Sequence, residues 1–296
     1  PVFTGRITDP PQPQNNGAPL PAITRPIDLP AIIKEHYLAI CAIFRNEAPY
    51  LAEWITFHQL VGVEHFFLYN NNSTDNFAAV LRPFITAGTV TLEDWPIPFH
   101  EKAQRQAYSH CLEAVRGRVR WLACIDIDEF LFAPGNDGLA TTLTDYEAWP
   151  GVVVHWQNYG SAGQRESSSE PVIQRFPWRA RTTWVRNRKV KSIVDPARTV
   201  APSGVHHFCY AGGALAVDET KTPVRIKPRA PYKKRLKPFY ARLGPLLRHI
   251  DPYSAANIDS KRVCVERLRI NHYPVKSYQE CCNKMTLKRE KGRYAD

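Results

Sequence analysis

The stretch Trp121-Leu-Ala-Cys-Ile-Asp-Ile-Asp-Glu-Phe-Leu131 joins a run of apolar residues to two aspartates. Such a run is typical of a strand that is buried on both faces of a parallel sheet. Because side chains alternate along a strand, Asp126 and Asp128 are predicted to point the same way and to face one ion. Oxygen ligands favour Mg²⁺ or Mn²⁺. The stretch therefore predicts a metal site at a strand end, although a lone D-x-D also occurs by chance.

Upstream of this strand, the chain alternates between strand-like and helical patterns. Apolar runs predict strands at 39–44, 65–69 and 89–92, and helical spacing predicts helices at 48–60, 77–86 and 102–115. This alternation is the signature of an α/β fold with a Rossmann-like, mostly parallel sheet that is covered by helices on both faces.

The rest of the chain follows a different pattern. Short strand-like runs are predicted at 152–156, 171–176, 190–194, 205–210 and 263–272, and a final helix at 276–288. Residues 221–250 combine prolines with many Lys and Arg and predict a long basic loop. Residues 1–32 are rich in proline and predict a linker or a strap. One domain is therefore expected over 33–296, with a mixed second half.

Charge divides the chain as well. Residues 1–170 hold 11 Lys and Arg against 19 Asp and Glu, whereas residues 171–296 hold 28 against 9. An acidic half suits a cation, and a basic half suits phosphates or an anionic surface, although a solvated basic face gives the same count. With 44% hydrophobic residues the chain is expected to fold, and no apolar run approaches the roughly 18 residues of a membrane span.

Polar residues follow three of the predicted strands. They are Arg45-Asn46-Glu47, the run from Asn70 to Asp75, and the run from Asp126 to Glu129. Ligands of open α/β sheets bind at the carboxyl ends of strands, so these loops are expected to converge on one crevice. Asn, Ser and Asp also make turns and cap helices, which is the alternative explanation for the second loop.

Three motifs together resemble glycosyltransferase family 92 and its family 2-like relatives. They are Phe44-Arg-Asn-Glu-Ala-Pro-Tyr-Leu-Ala-Glu-Trp-Ile55, Gly62-Val-Glu-His-Phe-Phe-Leu-Tyr-Asn-Asn-Asn-Ser-Thr-Asp75 and the stretch 121–131. The similarity extends, in the expected order, over about residues 38–290. Relatives usually carry Asp at the position of Asn70, and Gln164 stands where His is expected.

The resemblance implies a GT-A fold and an inverting, metal-dependent glycosyltransferase. The donor would be a nucleotide-sugar, UDP-linked, that carries a hexose such as galactose, and the acceptor would be a glycan, a polysaccharide or a lipid. Residues 33–135 would form the nucleotide-binding half, and residues 136–296 the acceptor-side half.

The resemblance also implies roles for individual residues. Asp126, Asp128 and His272 would hold Mn²⁺ or Mg²⁺, and Asp126 would also contact the ribose or a metal-bound water. Lys191 would face the departing diphosphate. The residues expected to line the uridine are Arg45, Asn46, Glu47, Asn71 and Asp75. A packed histidine and a solvated basic edge are the plain alternatives for His272 and Lys191.

An inverting transferase needs a general base for the acceptor hydroxyl. Asp195, Glu166 and Glu170 are the acidic residues of the expected acceptor region. Asp195 is preferred because a buried strand leads to it and Pro196 fixes the following turn. None of the three is marked by its spacing, and an ordinary loop carboxylate is the plain explanation for each.

Two other functional classes stay open. One is a noncatalytic basic module that binds nucleic acid or an anionic surface. Aromatic residues are not interleaved with the basic ones in an RNA-binding pattern, so a nucleic-acid partner is not expected. The other is a nucleotidyltransferase, which normally carries a Gly-rich phosphate loop where this chain reads Arg45-Asn46-Glu47.

The cellular compartment is predicted from weak signals. Seven cysteines without a CxxC pair mildly favour a reducing compartment. A glycan on Asn71 or Asn72 would block the expected crevice, which favours the cytoplasm, with peripheral membrane association through the basic half as a further option. A Golgi lumen location is the alternative if an anchor precedes Pro1.

Overall fold

The structure of the protein is a computed structural model that describes residues 34–135, 137–225 and 262–290. Its first half alternates strands and helices. The elements are β1 (His36–Phe44), α1 (Ala48–Leu60), β2 (His65–Asn70), α2 (Phe77–Thr86), β3 (Val90–Asp94), α3 (Ala103–Ala114) and β4 (Val119–Cys124). β1 pairs in parallel with both β2 and β4, and β3 pairs in parallel with β2. The predicted parallel sheet is therefore confirmed.

Strand β1 is buried on both faces, which explains its unbroken apolar sequence. Leu38 and Ile40 pack into a core with Trp54 of α1, whereas Ala39 and Cys41 pack on the other face in a core that α3 shares. Helices on both sides thus remove the alternation of polar and apolar residues that a half-exposed strand would show.

The second half adds a mixed set of elements. They are β5 (Glu129–Phe132), α4 (Leu139–Thr144), β6 (Gly151–Asn158), α5 (Val172–Arg175), β7 (Val190–Val194), β8 (Thr199–Pro202), β9 (Phe208–Tyr210), β10 (Arg269–His272) and α6 (Tyr278–Glu290). In the described residues, eight strands form one sheet in the order β3-β2-β1-β4-β7-β6-β10-β5, and β8 and β9 pair separately. β7 and β5 run antiparallel to their neighbours. The expected GT-A architecture, mostly parallel with a mixed second half, is confirmed by this order.

Besides the unpredicted elements α4, β5 and β8, local structure differs from the prediction in two places. Residues 171–176 form the short helix α5 rather than a strand, because the carboxylate of Glu53 accepts the N–H groups of Val172 and Ile173 at its first turn. Asp126 and Asp128 lie in a turn after β4, which ends at Cys124. The alternation of side chains along a strand therefore does not apply to them.

Two predicted segments lie outside the described residues: the linker at 1–32 and, beyond residue 225, the basic loop at 221–250. Among the helices in the described part of the chain, none combines the length and apolarity of a membrane span.

Candidate active site

The loops after β1 and β2 are hydrogen-bonded to each other at the carboxyl edge of the sheet. The backbone N–H of Asn46 donates to Ser73 Oγ at 3.0 Å, and the N–H of Thr74 donates to Asn46 Oδ1 at 2.7 Å. The N–H of Ala48, the first residue of α1, donates to Asp75 Oδ2 at 2.8 Å. Because β1, β2 and β4 are parallel neighbours, these loops and Asp126 share one edge, as the sequence predicts.

The side chains of this crevice are used in different ways. Asn71 donates to the carbonyl oxygens of Trp95 and Ile97, both at 2.8 Å, so its amide nitrogen stabilises a loop. By contrast, Asp75 Oδ1 and Arg45 Nε are buried and, within the described residues, have no hydrogen-bond partner. Buried polar atoms are rarely left unpaired, so these two atoms are suited to a polar ligand.

The turn that follows β4 places Asp126 against Lys191. Asp126 Oδ1 accepts hydrogen bonds from Lys191 Nζ at 2.9 Å and from Gln104 Nε2 at 2.6 Å. The Asp126 side chain is 37% exposed, whereas that of Lys191 is 1% exposed. Asp126 is thus accessible to a ligand, whereas its partner Lys191 is buried.

Asp128 lies deeper and contacts two groups from the end of the described chain. Its Oδ2 accepts a hydrogen bond from Lys284 Nζ of α6, and its Oδ1 lies 3.7 Å from Nε2 of His272 in β10. His272 Nδ1 lies 2.9 Å from Asn158 Oδ1. A ring that donates from Nδ1 to the Asn158 amide oxygen presents the Nε2 lone pair toward Asp128, which is how a histidine metal ligand is oriented.

Glu129 is a site residue that the sequence analysis did not single out. It begins β5 directly opposite His272 of β10 and is fully buried. Its Oε2 accepts the N–H of Asp126 at 2.9 Å and lies 3.7 Å from Lys191 Nζ, but its Oε1 has no partner in the described structure. The sequence signal that could have identified Glu129 is its position at the start of the apolar run Phe130–Phe132, because a carboxylate next to a buried run is expected to be buried as well.

Ligand atoms of Asp128, Glu129 and His272 all lie within 4.8 Å of one another, and Asp126 lies outside this group. Two carboxylates and one imidazole form a donor set for a hard or borderline divalent cation. The unpartnered Oε1 of Glu129 gives such an ion an acceptor that the protein does not use. The residues therefore fit a divalent cation.

Burial and neighbouring charges set the protonation of the cluster. Burial raises the pKa of Glu129 well above its usual range, against the attraction of Lys191. Burial also opposes the charge on Asp128, but Lys284 and His272 outweigh it and hold the pKa of Asp128 well below its usual range. Burial also opposes the charge on Asp126, but the ammonium group of Lys191 outweighs it, so the pKa of Asp126 is lowered. The site thus holds two ionised aspartates next to a glutamate that retains its proton more readily.

Lys284 is a second site residue that the sequence analysis did not identify. Burial disfavours its charge, but Asp128 and Glu47 outweigh burial and raise its pKa. Glu47, predicted to line the uridine, therefore lies close enough to Lys284 to favour its charge. Helix α6, which carries Lys284, is held by Glu280, which pairs with the buried Arg175 and accepts a hydrogen bond from Tyr50.

The three predicted general bases lie outside the metal cluster, and Asp195 also lies outside the crevice. Asp195 follows β7, which is antiparallel to β4, so it lies at the opposite edge of the sheet from Asp126. It pairs there with Arg198 at 2.7 Å and Arg120 at 3.2 Å. Glu166 and Glu170 are exposed on the loop between β6 and α5. The structure does not bring Asp195 to the crevice.

Comparison with known proteins identifies relatives for most of the described domain. Residues 34–237 match the family model described as Glycosyltransferase family 92. A glycosyltransferase family 92 protein of Oryza sativa subsp. japonica is 33% identical over 201 residues, which cover 64% of this chain and 33% of that protein. Galactan beta-1,4-galactosyltransferase GALS2 of Arabidopsis thaliana is 27% identical over 120 residues, covering 36% of this chain and 22% of that protein. The chain thus spans about a third of the length of the rice protein.

A crystal structure of S. aureus TarS in complex with UDP covers 54% of this chain and 47% of that chain, with a TM-score of 0.36 and 12% sequence identity. The fold is defined by the strand order and not by this likeness.

Proposed function

The chain belongs to glycosyltransferase family 92, as its motifs predict, and from this premise we propose that it transfers a hexose from a UDP-linked sugar to a glycan acceptor with the help of a divalent cation. The observation that carries the proposal is the convergence of Asp128, Glu129 and His272 at the same edge of the sheet as the unpaired polar atoms of the β1 and β2 loops. Galactose is the proposed hexose because relatives at 27% identity are named as galactosyltransferases.

The chain's own residues divide the work of binding the donor. Asp75 Oδ1 and Arg45 Nε are proposed to bind the nucleoside, since both are buried polar atoms that lack a partner in the described chain. Asp128, Glu129 and His272 are proposed to hold Mn²⁺ or Mg²⁺, with Asp126 beside them. When bound, the ion would neutralise negative charge on the diphosphate leaving group. Lys191 and Lys284 add fixed positive charge at the same edge.

Glu166 and Glu170 remain the proposed sources of the general base. Their loop leaves β6 at its carboxyl end, where Asn158 contacts His272. Asp195 is not part of the proposed mechanism because it lies at the other edge of the sheet.

The test is nucleotide binding with and without metal. Titration calorimetry would compare UDP and GDP in Mn²⁺ and in EDTA, using wild type, Asp128→Asn and the control Asp145→Asn, whose carboxylate pairs with Arg267 away from the crevice. We expect Mn²⁺-dependent UDP binding that Asp128→Asn weakens by about 10–100-fold and that the control retains. Equal UDP affinity in Mn²⁺ and EDTA would contradict the metal dependence, and a preference for GDP would contradict the proposed donor.

A further inference from the structure

A cavity of about 760 Å³ lies beside the metal cluster, at the carboxyl ends of β6 and β10. Its walls include Trp156, Trp178, Trp184, Arg179, Arg186 and Lys189, and we refer to it as the aromatic cleft. His272 and Lys284 line the cleft and also contact Asp128. A molecule bound in the aromatic cleft would therefore lie next to the proposed site of donor binding.

Two of the three tryptophans of the aromatic cleft are unusually accessible, whereas Trp156 is buried. Trp178 is 73% exposed and Trp184 is 43% exposed, although both have large apolar rings. The face of an indole ring carries partial negative charge, which attracts the partially positive C–H groups on the flat face of a sugar ring. Exposed indoles beside a sugar-transfer site are therefore suited to stack on the rings of an acceptor glycan.

The charges of the aromatic cleft favour a negatively charged acceptor over a neutral one. Among its described lining residues there is no aspartate or glutamate, whereas Arg179, Arg186 and Lys189 each bring a positive charge. The Arg186 guanidinium lies 5.8 Å from the centre of the Trp184 ring, and Lys189 Nζ lies 5.5 Å from that of Trp156. At Trp184, positive charge is therefore placed beside an exposed indole on which a sugar would stack.

Arg179 is held in position by the sheet. Its Nη1 donates to Gln157 Oε1 at 2.9 Å, and Gln157 is a buried residue of β6. A guanidinium that is fixed in this way loses less freedom when it binds, and its planar fork matches a carboxylate.

We propose that the aromatic cleft is the acceptor subsite and that it selects glycans bearing carboxylate groups. The role as an acceptor subsite rests on the proposed function, whereas the preference for anionic glycans rests on the cleft alone. A neutral chain would use the indole faces but would desolvate Arg179, Arg186 and Lys189 without supplying a counter-charge. Sulfate groups share this anionic chemistry and are distinguished by the probes below.

The test measures binding of matched oligosaccharides. The probes are glucose and galactose oligomers in three forms: neutral, oxidised at carbon 6 to the carboxylate, and sulfated at carbon 6. Calorimetry would compare wild type with Arg186→Glu, with Trp178→Ala and with the control Arg82→Glu, an exposed arginine of α2 outside the cleft. Both test positions are exposed, so the variants are expected to fold.

We expect wild type and the control to bind the carboxylated chains about tenfold or more tightly than the neutral chains. Arg186→Glu should remove that preference, and Trp178→Ala should weaken the binding of all the chains. Equal or tighter binding of neutral chains, a stronger preference for the sulfated probes, absence of binding, or a preference that survives Arg186→Glu would each overturn the proposal.

The same protein samples separate this inference from the proposed function. Mn²⁺-dependent UDP binding should be unchanged in Arg186→Glu and Trp178→Ala, because neither residue contacts the metal cluster. Absence of UDP binding in wild type would therefore contradict the donor proposal. Intact UDP binding without selection of carboxylated glycans would contradict only the proposed role of the aromatic cleft.

Discussion

The two halves of the domain bring opposite charges to the same edge of the sheet. Residues 34–135 contribute Asp126, Asp128 and Glu129, whereas the later residues contribute Lys191 and Lys284. Each half alone would hold several like charges close together, which is unfavourable in a partly buried setting. The proposed active site is thus also the place where the two halves neutralise each other, so the chemistry and the stability of the domain are linked there.

The strongest test of this link is removal of Lys191. The ammonium is 1% exposed and lies between Asp126 and Glu129. Lys191→Met would leave Asp126 without its main counter-charge, and we expect the free energy of unfolding to fall by about 3–5 kcal/mol. Urea denaturation measures this value, and the exposed control Lys102→Met should change it by less than about 0.5 kcal/mol. A loss below about 1 kcal/mol would show that the halves do not depend on this contact.

A smaller effect is expected where α6 is anchored. The Glu280 carboxylate pairs with Arg175 and accepts a hydrogen bond from Tyr50 Oη at 2.8 Å, so it joins three parts of the chain. Glu280→Gln should lower the free energy of unfolding by about 2–3 kcal/mol. A double-mutant cycle with Arg175→Met should give a coupling energy of about 1–3 kcal/mol, and additive effects of the two changes would contradict the predicted anchor.

The smallest effect concerns pH. His58 of α1 is fully buried. Its Nδ1 atom lies 2.8 Å from the carbonyl oxygen of Trp54, and its Nε2 atom accepts a hydrogen bond from the N–H of Leu131 in β5 at 3.0 Å. Burial lowers the pKa of His58 to about 3, whereas the unfolded chain takes up a proton near its ordinary value of 6.5. The stabilising effect is therefore fully present above pH 6.5 and is lost as the pH falls toward 3, by about 1.4 kcal/mol per pH unit.

Denaturant unfolding at pH 7.5 and 5.5 measures this loss. Other buried histidines also contribute to the slope, so the comparison is between wild type and His58→Gln, which cannot take up the proton. We expect the stability of the variant to fall less between the two pH values. Identical pH dependence in both proteins would contradict a neutral His58 at the junction of α1 and β5.

The sequence predicted those parts of the fold that depend on local patterns. Helix α1 has the predicted bounds, 48–60, because its apolar spacing and Pro49 in its first turn specify it without reference to distant residues. Strand β5 was missed, since its three apolar residues form a strand only by pairing with β10, more than 130 residues later. Short segments take their structure from such partners, which no local pattern reveals.

The residues of the candidate site could likewise be predicted only where a local pattern marks them. Asp126 and Asp128 could be singled out from their spacing beside an apolar run, and Glu129 could have been. Lys284 could not, because a lysine in a helix is ordinarily solvated and its partner Asp128 lies 156 positions earlier. Asp195 was preferred as a general base because a buried strand leads to it and Pro196 fixes the following turn, but the direction of that strand, β7, is a property of the assembled sheet.

The order of the chain has a consequence for synthesis on the ribosome. Asp128 leaves the exit tunnel 156 residues before Lys284, the ammonium that neutralises it. At about 5–20 residues per second, the nascent first half would wait about 8–30 s before Lys284 can neutralise Asp128. During that interval, the counter-charge of Asp128 comes from ions of the surrounding solution rather than from the ammonium group that the folded domain places there.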